Sequence, residues 1–239
     1  MGKISKIEWT DATWNPWYGC TKISEGCRNC YAERDMKRFG KDFNTITRSK
    51  TTFRDPLKWN EPRMIFVCSW GDFFHDDVMD KTRDEAWEIM RRTRSHTYLL
   101  LTKRPQNIKM MLPLMWELEY QDWLHIWLGV SVENNDQMWR LVALEEIKAM
   151  VKFVSAEPLL GPLPLLHSFF PSLDWVITGG ESGPDPRPCN LDWVRDIRDQ
   201  CVDHGISFFH KQHGGSRKIN GAWGGRELDG RTWDEMPNV

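Results

Sequence analysis

Long apolar runs are missing from this 239-residue sequence. A bilayer-spanning helix takes roughly 20 consecutive apolar residues, and no stretch here approaches that. The amino-terminal MGKISKIEW is polar and mixed, without the apolar centre of a secretory leader. The expectation is a soluble, cytoplasmic protein with no membrane partner. A strong net charge is missing as well: 32 Lys and Arg stand against 34 Asp and Glu, leaving −2. No global basic field therefore advertises nucleic acid. Repeats, low-complexity linkers and composition shifts are absent, so one domain over residues 1–239 is expected, a length that a single α/β barrel can fill. Cysteine is scarce, at six residues. A core of this size needs no disulfide staples, and clustered cysteines in a reducing compartment point to metal or redox chemistry instead.

The cysteines that are present are unevenly placed. Cys20, Cys27 and Cys30 share the stretch YGCTKISEGCRNCYAER, whereas Cys68, Cys189 and Cys201 are scattered. Gly19 and Gly26 directly precede two of the three, and glycine lets a backbone turn tightly and approach a bound object. There is a single C-x2-C unit, no second pair, and no histidine before His75. A tetrahedral zinc held by these three would need a remote fourth ligand. Buried structural thiols are a second reading. The third is an iron–sulfur cluster, which thiolates normally hold in fours; three would leave one iron open to the amine and carboxylate of a small molecule.

Six short apolar runs recur along the chain: 64–70, 97–102, 126–132, 151–157, 174–180 and 206–212. They are rich in β-branched and aromatic residues and mostly continuous, as in strands buried on both faces. Helix-like patterns over 80–95, 104–120, 134–150 and 190–205 separate them, the first with acids early and arginines late, the last closing on Gly205. A helix over 30–39 and a poor strand near WNPWYG extend this at the front. The rhythm is that of a parallel α/β fold, with six or seven βα units, an open or closed barrel rather than a small doubly wound sheet. Active sites in such folds gather at the carboxyl ends of the strands. Here those ends carry Ser69, Gly71, Asp72 and His75; Lys103 and Arg104; Ser131 and Glu133; Glu157; Glu181; and His210, Lys211 and Gln212. Helix capping accounts for one or two such groups, but polar residues at all six ends point to one shared pocket.

The stretch 34–63 is locally basic, with Arg34, Lys37, Arg38, Lys41, Arg48, Lys50, Arg54, Lys58 and Arg63 interleaved with Phe39, Phe43, Phe53 and Trp59. It reads either as a solvated surface over buried aromatics or as a strip for a phosphate backbone. The segment 214–239, rich in glycine and charge, reads as a lid or a loose tail. Most of the 14 tryptophans are expected in the core or a pocket wall.

The loop GCRNCYAER resembles a variant of the radical S-adenosylmethionine cluster motif, with C-x6-C-x2-C in place of C-x3-C-x2-C. Across nearly its whole length the chain resembles an uncharacterised phage and prophage family with a three-cysteine motif, through IEWTDATWNPWYGC, LLLTKRP, GVSVEN, SAEPLLGP, WVITGGESGP, FFHKQHGG and LDGRTWDEMP. The resemblance implies a radical SAM-like partial (β/α)6 TIM-type barrel with parallel strands. It implies a [4Fe–4S] cluster on Cys20, Cys27 and Cys30 and S-adenosylmethionine at the open iron, cleaved to a 5′-deoxyadenosyl radical that abstracts hydrogen. An external electron donor is then required, and a nucleobase in DNA, RNA or a nucleotide is the favoured substrate, for modification or photoproduct-type repair. Ser69, Gly71 and Asp72 occupy the place that holds the methionine amino group, although the usual Gly-Gly-Glu is absent there. Lys103, Arg104, Ser131, Glu133 and Glu157 are candidates for the cofactor or substrate pocket, and each charged one has a salt bridge between adjacent loops as its alternative, Arg104 and Glu133 above all. Cys189 is the candidate hydrogen donor, or a buried small hydrophobe; Cys68 and Cys201 read as core. The competing expectations are a non-catalytic nucleic-acid-binding module organised by zinc or a cluster, and a radical enzyme acting on a small molecule or peptide.

Overall fold

The computed structural model describes residues 4–163 and 172–239. In chain order the described elements are β1 (Ala12–Trp14), β2 (Trp17–Tyr18), α1 (Tyr31–Arg38), β3 (Thr47–Arg48), β4 (Met64–Val67), α2 (Asp80–Arg92), β5 (Thr97–Thr102), α3 (Ile108–Met111), β6 (Ile126–Ser131), α4 (Trp139–Glu145), β7 (Lys152–Ala156), β8 (Trp175–Gly179), α5 (Leu191–His204), β9 (Ser207–Gln212), β10 (Lys218–Ile219) and β11 (Ala222–Trp223). Seven strands form one sheet in the order β1-β4-β5-β6-β7-β8-β9. The pairs β1–β4, β4–β5, β7–β8 and β8–β9 are parallel. The protein is thus an α/β fold, as its pattern predicts, with seven strands where the pattern gives six or seven units. The additional strand is Ala12–Trp14, while Trp17–Tyr18 leaves the sheet to pair antiparallel with Thr47–Arg48.

The chain divides into two compact units. The first comprises Met1–Ile23, Ala32–Gly129 and Ile147–Met150. Its strands put Ile65, Val67, Leu99 and Leu100 wholly inside, each side chain worth about 1.5–3 kcal/mol on burial. Tryptophans fill the rest. Trp14 packs edge-on against Tyr98 and Phe53, and Trp87 against Phe73 and Trp123. Their indole N–H groups find acceptors, as buried indoles must: Trp14 at the Thr52 and Phe53 carbonyls, Trp17 at Asp72, Trp87 at Met111. Helix α2 keeps Asp80 in its first turn and Arg91 and Arg92 in its last, each charge set against the opposite end of the helix dipole.

The expected helix over 104–120 is only a 3-10 turn, Pro105–Asn107, and the single turn of α3. Proline at 113 explains this. It forces the preceding residue out of the helical region, and Leu112 is extended at ψ 155°.

The second unit comprises Ser24–Tyr31, Val130–Glu146 and Val151–Val239. Phe153, Val154, Trp175, Val176, Ile177 and Phe208 form its interior. Helix α5 starts where the Asn190 side chain accepts a hydrogen bond from the Asp192 N–H and stops at Gly205, left-handed at φ 68°. The helix expected over 134–150 shrinks to a 3-10 turn at Asn135–Gln137 and the seven residues of α4. Adjacent Glu145 and Glu146 sit at the negative end of its dipole, a poor place to extend a helix.

Residues 214–239 are neither lid nor loose tail. The chain returns antiparallel along β9, with a bridge between Phe209 and Asp234. His210 N–H donates to the Trp233 carbonyl, Glu235 N–H to Phe208, and the Trp175 indole to the Glu235 carbonyl. Glycine permits the crossing: a Cβ on Gly180 would stand 1.9 Å from the His213 carbonyl oxygen, and one on Gly224 1.9 Å from that of Gly214.

Candidate functional site

In the first unit, the end of β4 turns sharply. Cys68 takes a left-handed φ of 59°, and Gly71 N–H closes the turn onto its carbonyl at 3.0 Å. Asn15 fixes the turn: its Nδ2 donates to Ser69 Oγ at 3.0 Å, and its Oδ1 accepts from Trp70 N–H at 2.7 Å. Gly71 bridges to Gly19, immediately before Cys20. Gly19 has φ +110°, and a Cβ there would meet the Thr45 carbonyl oxygen at 2.4 Å; no other residue type fits.

The turn delivers Asp72, whose carboxylate is buried and fully used. It accepts from Thr102 Oγ1 at 2.7 and 2.9 Å, from Phe74 N–H at 2.9 Å and from Lys103 N–H at 3.2 Å. Arg104 Nη1 lies 3.4 Å from its Oδ2. The same guanidinium reaches the cysteine loop. Nη2 donates to the Thr21 carbonyl at 3.0 Å and to Thr21 Oγ1 at 2.7 Å, and Nη1 donates to Cys20 Sγ at 3.5 Å. Burial opposes the Arg104 charge, but Asp72 and Cys20 outweigh it and its pKa is raised. His75 Nε2 shares Thr21 Oγ1 at 3.0 Å. Burial, reinforced by Arg104, lowers the His75 pKa, so the imidazole is neutral at pH 7.

The second unit holds Ser24–Tyr31, with Cys27 in the 3-10 turn Glu25–Cys27. Glu133, beyond β6, is 1 % exposed, as is its partner Arg140, whose Nη1 donates to it at 2.9 Å and to the Ser131 carbonyl at 2.8 Å. Ser24 Oγ donates to the other Glu133 oxygen at 2.9 Å. Beyond β8, Glu181 accepts from Asn29 Nδ2 at 2.8 Å and from Arg187 through its backbone N–H, Nε and Nη2. Burial alone would raise the Glu181 pKa; the Arg187 and Asn29 donors reverse that and lower it. Glu157, at the end of β7, pairs with Lys211 on β9. Cys189 is half-buried just before the Asn190 cap, and burial pushes its thiol up to about 11. Cys68 and Cys201 are in the core, as their apolar neighbours in sequence suggest.

Cys20, Cys27 and Cys30 are half-buried. Among the described residues, no group of three or more His, Cys, Asp or Glu side chains stands ready to hold a metal ion. No described helix is long and apolar enough to cross a membrane.

A family model described as a protein of unknown function, DUF5131, matches residues 4–237. The chain belongs to the DUF5131 family. No curated protein and no solved structure matches it significantly. The description carries no activity, so what this DUF5131 chain does has to be argued from its own side chains. Several that matter have no local signal in sequence. Asn29 acts on Glu181, 152 positions away, and Arg187 reaches Glu25, 162 positions away, while Thr21, Thr102 and Arg140 meet their partners only through the fold. The only legible cue in the DUF5131 chain was the polar residue at each strand end, which marks where such partners meet.

Proposed function

We propose that this protein is a radical S-adenosylmethionine-type enzyme whose [4Fe–4S] cluster is held by Cys20, Cys27 and Cys30. The observation that carries the reading is the Arg104 N–H on Cys20 Sγ, within a loop that puts three half-buried cysteines in eleven residues. Thiolate donors with N–H hydrogen bonds to sulfur suit a cluster, since such bonds stabilise the negative sulfur. When bound, the cluster and S-adenosylmethionine supply one-electron chemistry for hydrogen abstraction, with the electron from an external donor.

The chain's own residues have distinct parts in this reading. Arg104 holds the Cys20–Thr21 backbone and offers positive charge to the sulfur. Asp72 keeps Arg104 and the Lys103 backbone in place. Lys103 and Glu157 are partly exposed, Glu157 paired with Lys211, whereas Ser69, Asp72, Ser131 and Glu133 are buried and suited to holding loops. Cys189 stays protonated with its pKa near 11, the form whose S–H can return a hydrogen atom to a product radical. A nucleobase substrate is favoured by α1 and its end, where Arg34, Lys37, Arg38 and Phe39 are all exposed. Cations for phosphates beside an aromatic face for a base are the ingredients of single-strand binding.

Electron paramagnetic resonance on anaerobically purified, dithionite-reduced protein tests the reading. The expected result is a [4Fe–4S]+ signal that changes on adding S-adenosylmethionine and is lost in Cys20→Ala, Cys27→Ala and Cys30→Ala. Stoichiometric zinc, with no cluster after iron and sulfide reconstitution, would overturn it in favour of a structural metal knot.

A further inference from the structure

We infer that Glu133 and Glu181 are positioning residues that clamp the Cys27–Cys30 segment from both sides, setting the approach of its two sulfurs to whatever they bind. The inference rests on the reading of Cys27 and Cys30 as ligands, and it concerns groups that do not themselves ligate.

The segment has little to hold it internally. Its one 3-10 turn buries no residue, and Ser24 gives it no side-chain cap. What fixes it are two carboxylates supplied by strand ends. At the near end, Ser24 Oγ donates to Glu133 Oε1 at 2.9 Å and lies 3.8 Å from Cys27 Sγ. The Glu133 side chain covers Gly26 so closely that a Cβ there would stand 2.2 Å from Oε1 and 2.4 Å from Cγ. Glycine at 26 therefore lets the carboxylate lie flat against the turn that carries Cys27. Arg140 holds that carboxylate by its other oxygen, and the Glu133 carbonyl accepts from Leu160 N–H at 2.7 Å. At the far end, Asn29, directly before Cys30, donates to Glu181 Oε2 at 2.8 Å and to the Asp185 carbonyl at 3.2 Å. Arg187 locks Glu181 and also donates to the Glu25 carbonyl at 2.9 Å. Each clamp is thus a carboxylate shared between a fixed arginine and one side chain of the cysteine segment. A hydrogen bond to a charged group is stronger than a neutral one, and both acceptors lie where water competes little.

The test uses variants on the segment side, which leave both carboxylate–arginine pairs intact: Ser24→Ala and Asn29→Ala. Iodoacetamide labelling of the metal-free full chain is followed residue by residue by mass spectrometry, with Cys189 as the internal control. Losing one such bond to a charged group raises the population of the opened segment about ten- to a hundredfold. The expected result is a rise of that size in labelling at Cys27 and Cys30, with Cys189 and the thermal midpoint unchanged. Unchanged rates at Cys27 and Cys30 in both variants overturn the clamp, as does an equal rise at Cys189, which would report general loosening. Asn29→Gln serves as the conservative rescue if Asn29→Ala folds poorly. In reconstituted protein, the same variants should release iron faster to a chelator. If the wild type takes up no iron, the cluster reading fails while the labelling still decides the clamp.

Discussion

Arg104 shows how much one side chain can be asked to do. It is buried, yet it touches the carboxylate of Asp72, the carbonyl and hydroxyl of Thr21 and the sulfur of Cys20. Removing one partner of a buried pair leaves the other charge without compensation and costs roughly 3–5 kcal/mol. Asp72 retains the Thr102, Phe74 and Lys103 donors, which places Arg104→Met at the lower end, about 3 kcal/mol. Urea unfolding should show this as a lower midpoint at an unchanged slope. An unaltered midpoint would mean that the guanidinium contributes nothing net to the fold. Around position 104, LLLTKRP announces a strand end, and the expected alternative of a salt bridge between loops is what Arg104 makes with Asp72; its Thr21 and Cys20 partners are not legible there. The three cysteines, by contrast, stand out in sequence because half of the chain's thiols share one short loop. Glu133 lies between these cases: its place after a strand is visible, whereas its arginine and serine partners are set by packing.

Among elements, the strands were the most legible because parallel strands covered on both faces must be continuously apolar, and VITG or FVSA can be little else. Helices were legible where both ends carry their own signals. Helix α5 has its Asn190 cap and Gly205 stop, and it forms over Leu191–His204, nearly as the pattern 190–205 requires. Residues 104–120 have apolar periodicity but an internal proline, and there the local steric rule prevails over the period. The Asn190 cap gives an element-scale prediction. Asn190→Ala removes the acceptor for Asp192 N–H and should cost about 1 kcal/mol, read as a lower thermal midpoint. Asn190→Ser should recover most of it. No loss in the alanine variant would show that solvent satisfies that N–H equally well.

For the whole molecule, acidity is the expected weak point. Burial lowers the pKa values of His75, His96, His125 and His213, and it takes His210 from 6.5 to about 3, with His213 and Arg226 pushing the same way. A folded-state pKa below the unfolded value means the unfolded chain binds the proton first. The stability held by His210 is therefore complete above about pH 6.5 and is lost as pH falls from there toward 3. The Glu181 carboxylate, also lowered, adds loss in the same direction on further acidification. Urea midpoints measured between pH 7.5 and pH 4.5, values chosen to bracket the window at about the free imidazole pKa, should fall steadily. His210→Gln should follow a shallower slope by about one proton. A flat profile in the wild type would mean that these imidazoles are solvated in the native state.

The course of residues 226–239 has a consequence for how this protein lives among its neighbours. Strand β9 ends the sheet order, and a terminal strand normally offers a row of free amides and carbonyls on which another chain can crystallise a further strand. Here the backbone of Trp233 and Glu235, and the Glu235 side chain on Phe208 N–H, already occupy that row. The chain uses residues 233–235 as a selvedge, so that along β9 the edge is already bound off.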